Sequence, residues 1–114
     1  MISALSGAAG ARDYELPSSY DLRDINGRSY VGEVRDQSHC GSCYAFAVMA
    51  AAESTWNLSH NLYDDQAIDM SEAFMVWSLS PLYDDMEVCN GGSTMGPMNS
   101  LLDYGMPLEN DFPY

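Results

Sequence analysis

Residues Gln37–Phe46 read QSHCGSCYAF, two cysteines three positions apart at the entrance of an alanine-rich run. From Ser42 to about Trp56 there is neither glycine nor proline, and CYAFAVMAAAESTW is apolar on nearly every side. That composition predicts a helix buried on most of its faces. Cys43 then stands at the helix entrance, where unpaired backbone N–H groups and the macrodipole favour negative charge and so favour a thiolate. Three chemistries compete for the cysteine pair. Zinc would need a second pair of ligands, and the other candidates, Cys89, His39 and His60, have no paired spacing. A dithiol redox pair fits C-x-x-C, yet no preceding strand or βαβ pattern supports it. The third reading gives the two cysteines different jobs, one structural and one nucleophilic.

On the N-terminal side, residues 1–14 read as a disordered lead or the remnant of a propeptide, and 15–114 as one domain. Glu15 to Val34 mixes turn formers with short apolar stretches, and Asn26-Gly27 is a strong turn signal. On the C-terminal side, Asn57 to Asp69 is polar and acidic, which predicts a surface loop carrying an Asn57-Leu58-Ser59 sequon. Ser71 is a good N-cap for a second helix through SEAFMVWSL, ended by Pro81. Tyr83 to Gly96 reads as another loop, and Pro97 to Tyr104 as a short third helix stopped by Gly105. Leu-Tyr-Asp-Asp occurs at Leu62 and Leu82 without any repeat around it, and lacks the ligand spacing and glycine of a calcium loop. No metal and no other cofactor is expected.

The 114 residues carry seventeen acids against four basic side chains, a formal charge of −13. That balance disfavours nucleic acid and anionic membrane surfaces, both of which need clustered basic groups. It fits an acidic or high-salt setting, a basic partner, or part of a larger fold whose remainder is positive. No apolar run reaches the eighteen or so residues of a membrane span. Three cysteines allow at most one intrachain pair and leave a thiol over.

With these residues in view, C-G-S-C-Y-A-F resembles the nucleophile motif of the papain and cathepsin cysteine peptidases. The resemblance runs from Leu16 to Tyr114: LPSSYDLR resembles the start of a mature enzyme, DMSEAF the L-S-E-Q segment, CNGG a family signature, and the closing P-Y its cathepsin L-like spacing. It implies a mainly α fold with extended loops, the left-hand helical domain of the papain-like α+β fold, without its β-barrel domain. It implies Cys43 as nucleophile and Gln37 as the oxyanion-hole side chain, acting with the backbone N–H of Cys43. A Cys40–Cys89 disulfide is implied too, closing a loop of about fifty residues for ~3–4 kcal/mol of stability. Gly91 and Gly92 would bind substrate backbone as an added strand would, with Ser93, Thr94 and Met95 near the pocket for the residue two before the scissile bond. Two departures are Tyr44, where Trp is commoner, and Ser78, where many members have another cysteine.

The same resemblance implies what must come from elsewhere. The family's catalytic histidine lies roughly 130–150 residues beyond the nucleophile, past Tyr114, and neither His39 nor His60 sits in such a motif. The expected function is a cysteine endopeptidase acting on peptide or protein substrates, with a β-rich domain or chain supplying His and Asn. The rival is a non-catalytic homologue that binds or regulates; the joint presence of Cys43, Gln37 and both glycines favours the enzyme. The expected location is an oxidising one: secreted, lysosomal or periplasmic.

Overall fold

The computed structural model describes residues 15–114, so the expected lead at 1–14 lies outside the described residues. Helix α1 spans Cys43–His60, a 3₁₀ turn Asp64–Gln66, a π-helical segment Phe74–Leu79, a second 3₁₀ turn Ser80–Leu82, and helix α2 Met95–Tyr104. Among the described residues there are only isolated β-bridges, such as Gly41 with Asn90 and Met86 with Gly92. The fold is therefore helical with extended connections, as the sequence implies.

Asn26 and Gly27 both take positive φ, 54° and 80°, and Ile25 and Arg28 exchange backbone hydrogen bonds of 2.9 and 3.1 Å around them. Two consecutive left-handed residues suit Asn-Gly, which makes the tight turn expected there.

Helix α1 runs four residues past the expected end at Trp56, and this overturns the surface-loop reading of Asn57. Asn57 is fully buried. Its Nδ2 donates to the Tyr30 carbonyl at 3.2 Å, and its Oδ1 accepts the Ile68 N–H at 2.9 Å. A buried amide is tolerable because both ends are satisfied, so a residue that looks like loop is a tie between three segments. The helix ends at His60, and the next residue, Asn61, caps it in the left-handed conformation that asparagine accepts readily. The reading of α1 as buried on most faces is also corrected. Its buried stripe is Tyr44, Ala45, Val48, Met49, Glu53 and Asn57, at helical spacing, while Ala47, Ala50 and Ala51 are exposed.

Ser71 caps the second helix as its sequence suggests, its Oγ accepting the Phe74 N–H at 3.0 Å and donating to the Phe112 carbonyl. The helix is α only at its first turn. Over Phe74–Leu79 it widens to π, with Ser80 donating to Met75 five residues back. Pro81 follows inside the next 3₁₀ turn, where its missing N–H would stop an α-helix. Helix α2 begins at Met95, two residues before the expected Pro97, and ends where Gly105, φ 72°, donates to the Leu101 carbonyl.

The core gathers Tyr44, Ala45, Val48 and Met49 of α1 with Met75, Val76 and Leu79 of the π segment and Met86 of the following loop. Along the other side of α1, an apolar groove of about 960 Å³ opens toward α2, lined by Ala47, Ala51, Trp56, Thr94, Met98 and Leu102 among others.

Candidate active site

Cys43 is the first residue of α1, exposed, and the one cysteine outside the disulfide. Ser42 occupies the N-cap, but its side chain accepts no N–H of the first turn, and no acidic residue stands in that turn. The Ala45 N–H turns back to the Ser42 carbonyl at 2.9 Å, which leaves the Cys43 and Tyr44 N–H groups to whatever sits beside Cys43. The buried Ser42 hydroxyl instead meets the Tyr114 hydroxyl at 3.0 Å.

Gln37 is half-buried, its Nε2 donating to the Cys40 carbonyl at 2.8 Å. That bond uses one of the two amide hydrogens and fixes the plane of the group, leaving the other hydrogen available. The Gln37 carbonyl accepts the Tyr114 hydroxyl at 2.9 Å. Tyr114 therefore ties the glutamine loop to the helix cap, and its ring packs edge-on against Phe46 at 5.0 Å. No role for Tyr114 is legible in the closing Pro-Tyr itself; only its return across 77 positions gives it one.

Cys40 and Cys89 form a disulfide, Cα atoms 4.5 Å apart. The bridge is reinforced by the backbone: Gly41 donates to Cys89 at 2.8 Å and Gly91 donates to Gly41 at 3.0 Å. A side chain on Gly41 would put its Cβ 2.5 Å from the Cys89 carbonyl oxygen, so the approach demands glycine.

The two glycines of the expected binding strand separate here. Gly91, φ 99°, spends its N–H on Gly41 and its carbonyl on the Glu87 N–H at 2.9 Å. Gly92 pairs with Met86 between the bonds Glu87 to Gly91 and Ser93 to Asp85. That is a non-hydrogen-bonded antiparallel pair, in which the N–H and C=O of Gly92 point away from the partner. Gly92 is exposed, so those groups face outward on the open side of the strand. Its missing side chain is required as well, since a Cβ would lie 2.9 Å from the Asp85 carbonyl oxygen and 3.1 Å from the Tyr44 ring. Tyr44, next to Cys43, thereby packs α1 against the Gly92 segment, and its hydroxyl donates to the Val88 carbonyl at 2.6 Å.

Ser93, Thr94 and Met95 follow, all exposed, with Thr94 at the mouth of the apolar groove beside Met98. Ser93 Oγ donates to the Asp85 carboxylate and accepts the Met95 N–H at 3.1 Å. Asp85, whose role is not legible in the sequence, organises this corner. His39 is exposed in the loop before the disulfide. His60 is not in a loop, as expected, but in the last turn of α1, stacked on Trp56 at 4.0 Å with its Nδ1 2.9 Å from the Trp56 carbonyl. It is about 25 Å along the helix from Cys43. Among the described residues no group of three His, Cys, Asp or Glu side chains could hold a metal ion, and no helix is long and apolar enough to cross a membrane.

A free cysteine heading a helix, a glutamine loop pinned beside it and a disulfide-backed glycine segment thus stand together in the fold. The chain matches the family described as papain family cysteine protease over residues 16–114, and it belongs to that family. It is 38% identical over 109 residues to a viral cathepsin of Heliothis zea nuclear polyhedrosis virus, covering 92% of this chain and 26% of that protein. It is 34% identical over 103 residues to human cathepsin O, covering 87% and 27% respectively. Digestive procathepsin L 3 from the larval midgut of Tenebrio molitor superimposes with a TM-score of 0.65 at 28% identity, over 75% of this chain and 26% of that one. The chain spans about a quarter of the length of these relatives.

Proposed function

We propose that this chain is the nucleophile-bearing part of a cysteine endopeptidase, 15–114 being the helical half of its peptidase domain, and that it hydrolyses peptide bonds through a thioester. In this reading the Cys43 thiolate attacks the scissile carbonyl. The developing oxyanion is held by the Cys43 backbone N–H and the free amide hydrogen of Gln37. Gly92 takes the substrate backbone through its outward N–H and C=O, Gly91 shapes the turn behind it, and Ser93 and Thr94 border the neighbouring side-chain pocket. Collapse of the tetrahedral intermediate breaks the C–N bond, and the amine leaves only when protonated. A histidine, oriented by an asparagine, supplies that proton and later activates water; both come from a complementary β-rich domain or chain. The exposed apolar groove beside α1 supports such a complement, offering apolar side chains that a second domain or chain would cover. The disulfide supports an oxidising location, secreted, lysosomal or periplasmic.

The observation that carries this reading is the free, exposed Cys43 at the uncapped start of α1 with the Gln37 amide fixed beside it. Its test is turnover of a fluorogenic peptide by this chain joined to a His- and Asn-bearing complement, and by the chain alone. Turnover is expected only in the joined form, and Cys43→Ser should abolish it. Tight peptide binding without cleavage by the joined form would favour the regulatory homologue instead.

A further inference from the structure

We infer that Asp85 is a positioning residue for the peptide substrate: it holds the Gly92–Thr94 strand and the first turn of α2 in one fixed relation. Its backbone carbonyl accepts the Ser93 N–H at 2.8 Å. Its carboxylate accepts both the Ser93 hydroxyl and the Gly96 N–H, the latter at 2.8 Å and to the same oxygen, Oδ2. Three hydrogen bonds from one residue thus span the strand that faces substrate and the helix that follows it. The surroundings are shaped to this carboxylate. A Cβ on Gly96 would lie 2.3 Å from Asp85 Oδ1 and 2.9 Å from Met86 Cγ, so glycine is needed for Asp85 to reach the amide. Directly beside it, Met86 is buried in the core, and its Cα lies 3.1 Å from where a Gly92 Cβ would stand. Gly92 is consequently flanked by the Asp85–Met86 backbone and the Tyr44 ring, and Ser93 is held on a second side by the carboxylate. A carboxylate at the start of α2 is also favoured by the helix dipole, which resists its displacement.

This rests on the reading that Cys43 and Gly92 serve a peptide substrate. Without the carboxylate, the strand keeps its ladder bond to the Asp85 backbone but loses the two side-chain bonds that set the pitch of Ser93 and Thr94. Binding of extended substrate should suffer while the chemistry at Cys43 does not. In the joined enzyme, Asp85→Ala is expected to raise KM for a peptide substrate about tenfold with kcat within about twofold. Asp85→Asn, which can present its amide oxygen to both donors, should recover KM to within about threefold of the parent. The rate at which iodoacetamide, which needs no strand contact, alkylates Cys43 should be the same in all three. Amide hydrogen exchange adds a readout independent of catalysis: protection at Ser93 and Gly96 should drop in Asp85→Ala and persist in Asp85→Asn. An unchanged KM in Asp85→Ala, or an equal fall in kcat and alkylation rate, overturns the inference. If Asp85→Ala does not fold, Ser93→Ala removes the hydroxyl arm together with the acceptor of the Met95 N–H, and a KM unchanged by it would overturn the inference equally. A parent enzyme without Cys43-dependent turnover would sink the peptidase reading alone. The exchange pattern at Ser93 and Gly96 would still decide whether Asp85 holds the strand.

Discussion

Cys40 and Cys43 are separated by two residues and have opposite fates. Cys40 is drawn to Cys89 by the backbone bonds at Gly41 and Gly91, while Cys43 stands free and exposed in the first turn of α1. Exchange between the two within C-G-S-C would have to break those flanking bonds. Alkylation of the unreduced chain followed by peptide mapping is therefore expected to label Cys43 alone and to recover Cys40 linked to Cys89. A Cys40–Cys43 link would point to redox chemistry. At the same scale, Gln37 and Tyr114 illustrate how a side-chain amide is held: Cys40 O takes one hydrogen, and the tyrosine hydroxyl anchors the glutamine's own carbonyl.

Among the elements, α1 does the most positioning, since it carries Cys43 at one end and is tied near the other by Asn57. Asn57→Ala would leave the Tyr30 carbonyl and the Ile68 N–H without partners in a buried site. The expected cost is about 2–3 kcal/mol in a urea titration. A loss below about 0.5 kcal/mol would place Asn57 among ordinary surface residues. The same burial means that the Asn57-Leu58-Ser59 sequon cannot accept a glycan in the folded chain, whatever the source. Helix α2 is set differently, from outside: Ser93 and Asp85 satisfy its first amides, which is why it starts ahead of Pro97.

Across the molecule, charge is as informative as packing. Glu53 and Glu72 are 6% and 3% exposed, and the nearby ion pair of Arg35 with Asp69 offers them one shared cation. Burial pushes the Glu53 carboxyl up to about 7, against the Met70 N–H bond that lowers it, with Glu72 and Glu109 adding repulsion. Burial raises Glu72 as well. A carboxyl raised in this way binds its proton more tightly when folded. Its contribution to stability is full below the ordinary value near 4.5 and is lost as pH climbs to about 7. For Glu53 this amounts to about 3 kcal/mol over that window. Asp21, held near 2 by its hydrogen bonds to Arg23, titrates below it and acts in the opposite sense. Urea midpoints of the chain are expected to fall between pH 4.5 and 7, and Glu53→Gln, which keeps an acceptor for Met70, should flatten the slope. Parallel profiles would remove Glu53 as the cause.

Local chemistry made part of this legible. The helix entrance at Cys43, the Asn26-Gly27 turn, the Ser71 cap and the Gly105 stop each depend on residues within a few positions, and sequence alone determined them. The family resemblance added the disulfide and the outline of the site. What sequence could not decide depends on partners far along the chain. Asn57 is core only because Tyr30, 27 residues away, and Ile68 come to its two ends. The π register of Phe74–Leu79 is anchored from outside, where buried Ser80 accepts the Val88 N–H at 2.9 Å. Gly92 rather than Gly91 presents free backbone because of which groups Gly41 and Glu87 had already claimed. Tyr114 and Asp85 acquire their roles by folding back on Gln37 and Ser93. Hydrogen-bond satisfaction is settled by the whole fold, so the tertiary structure alone determined which polar groups were used and which were left open.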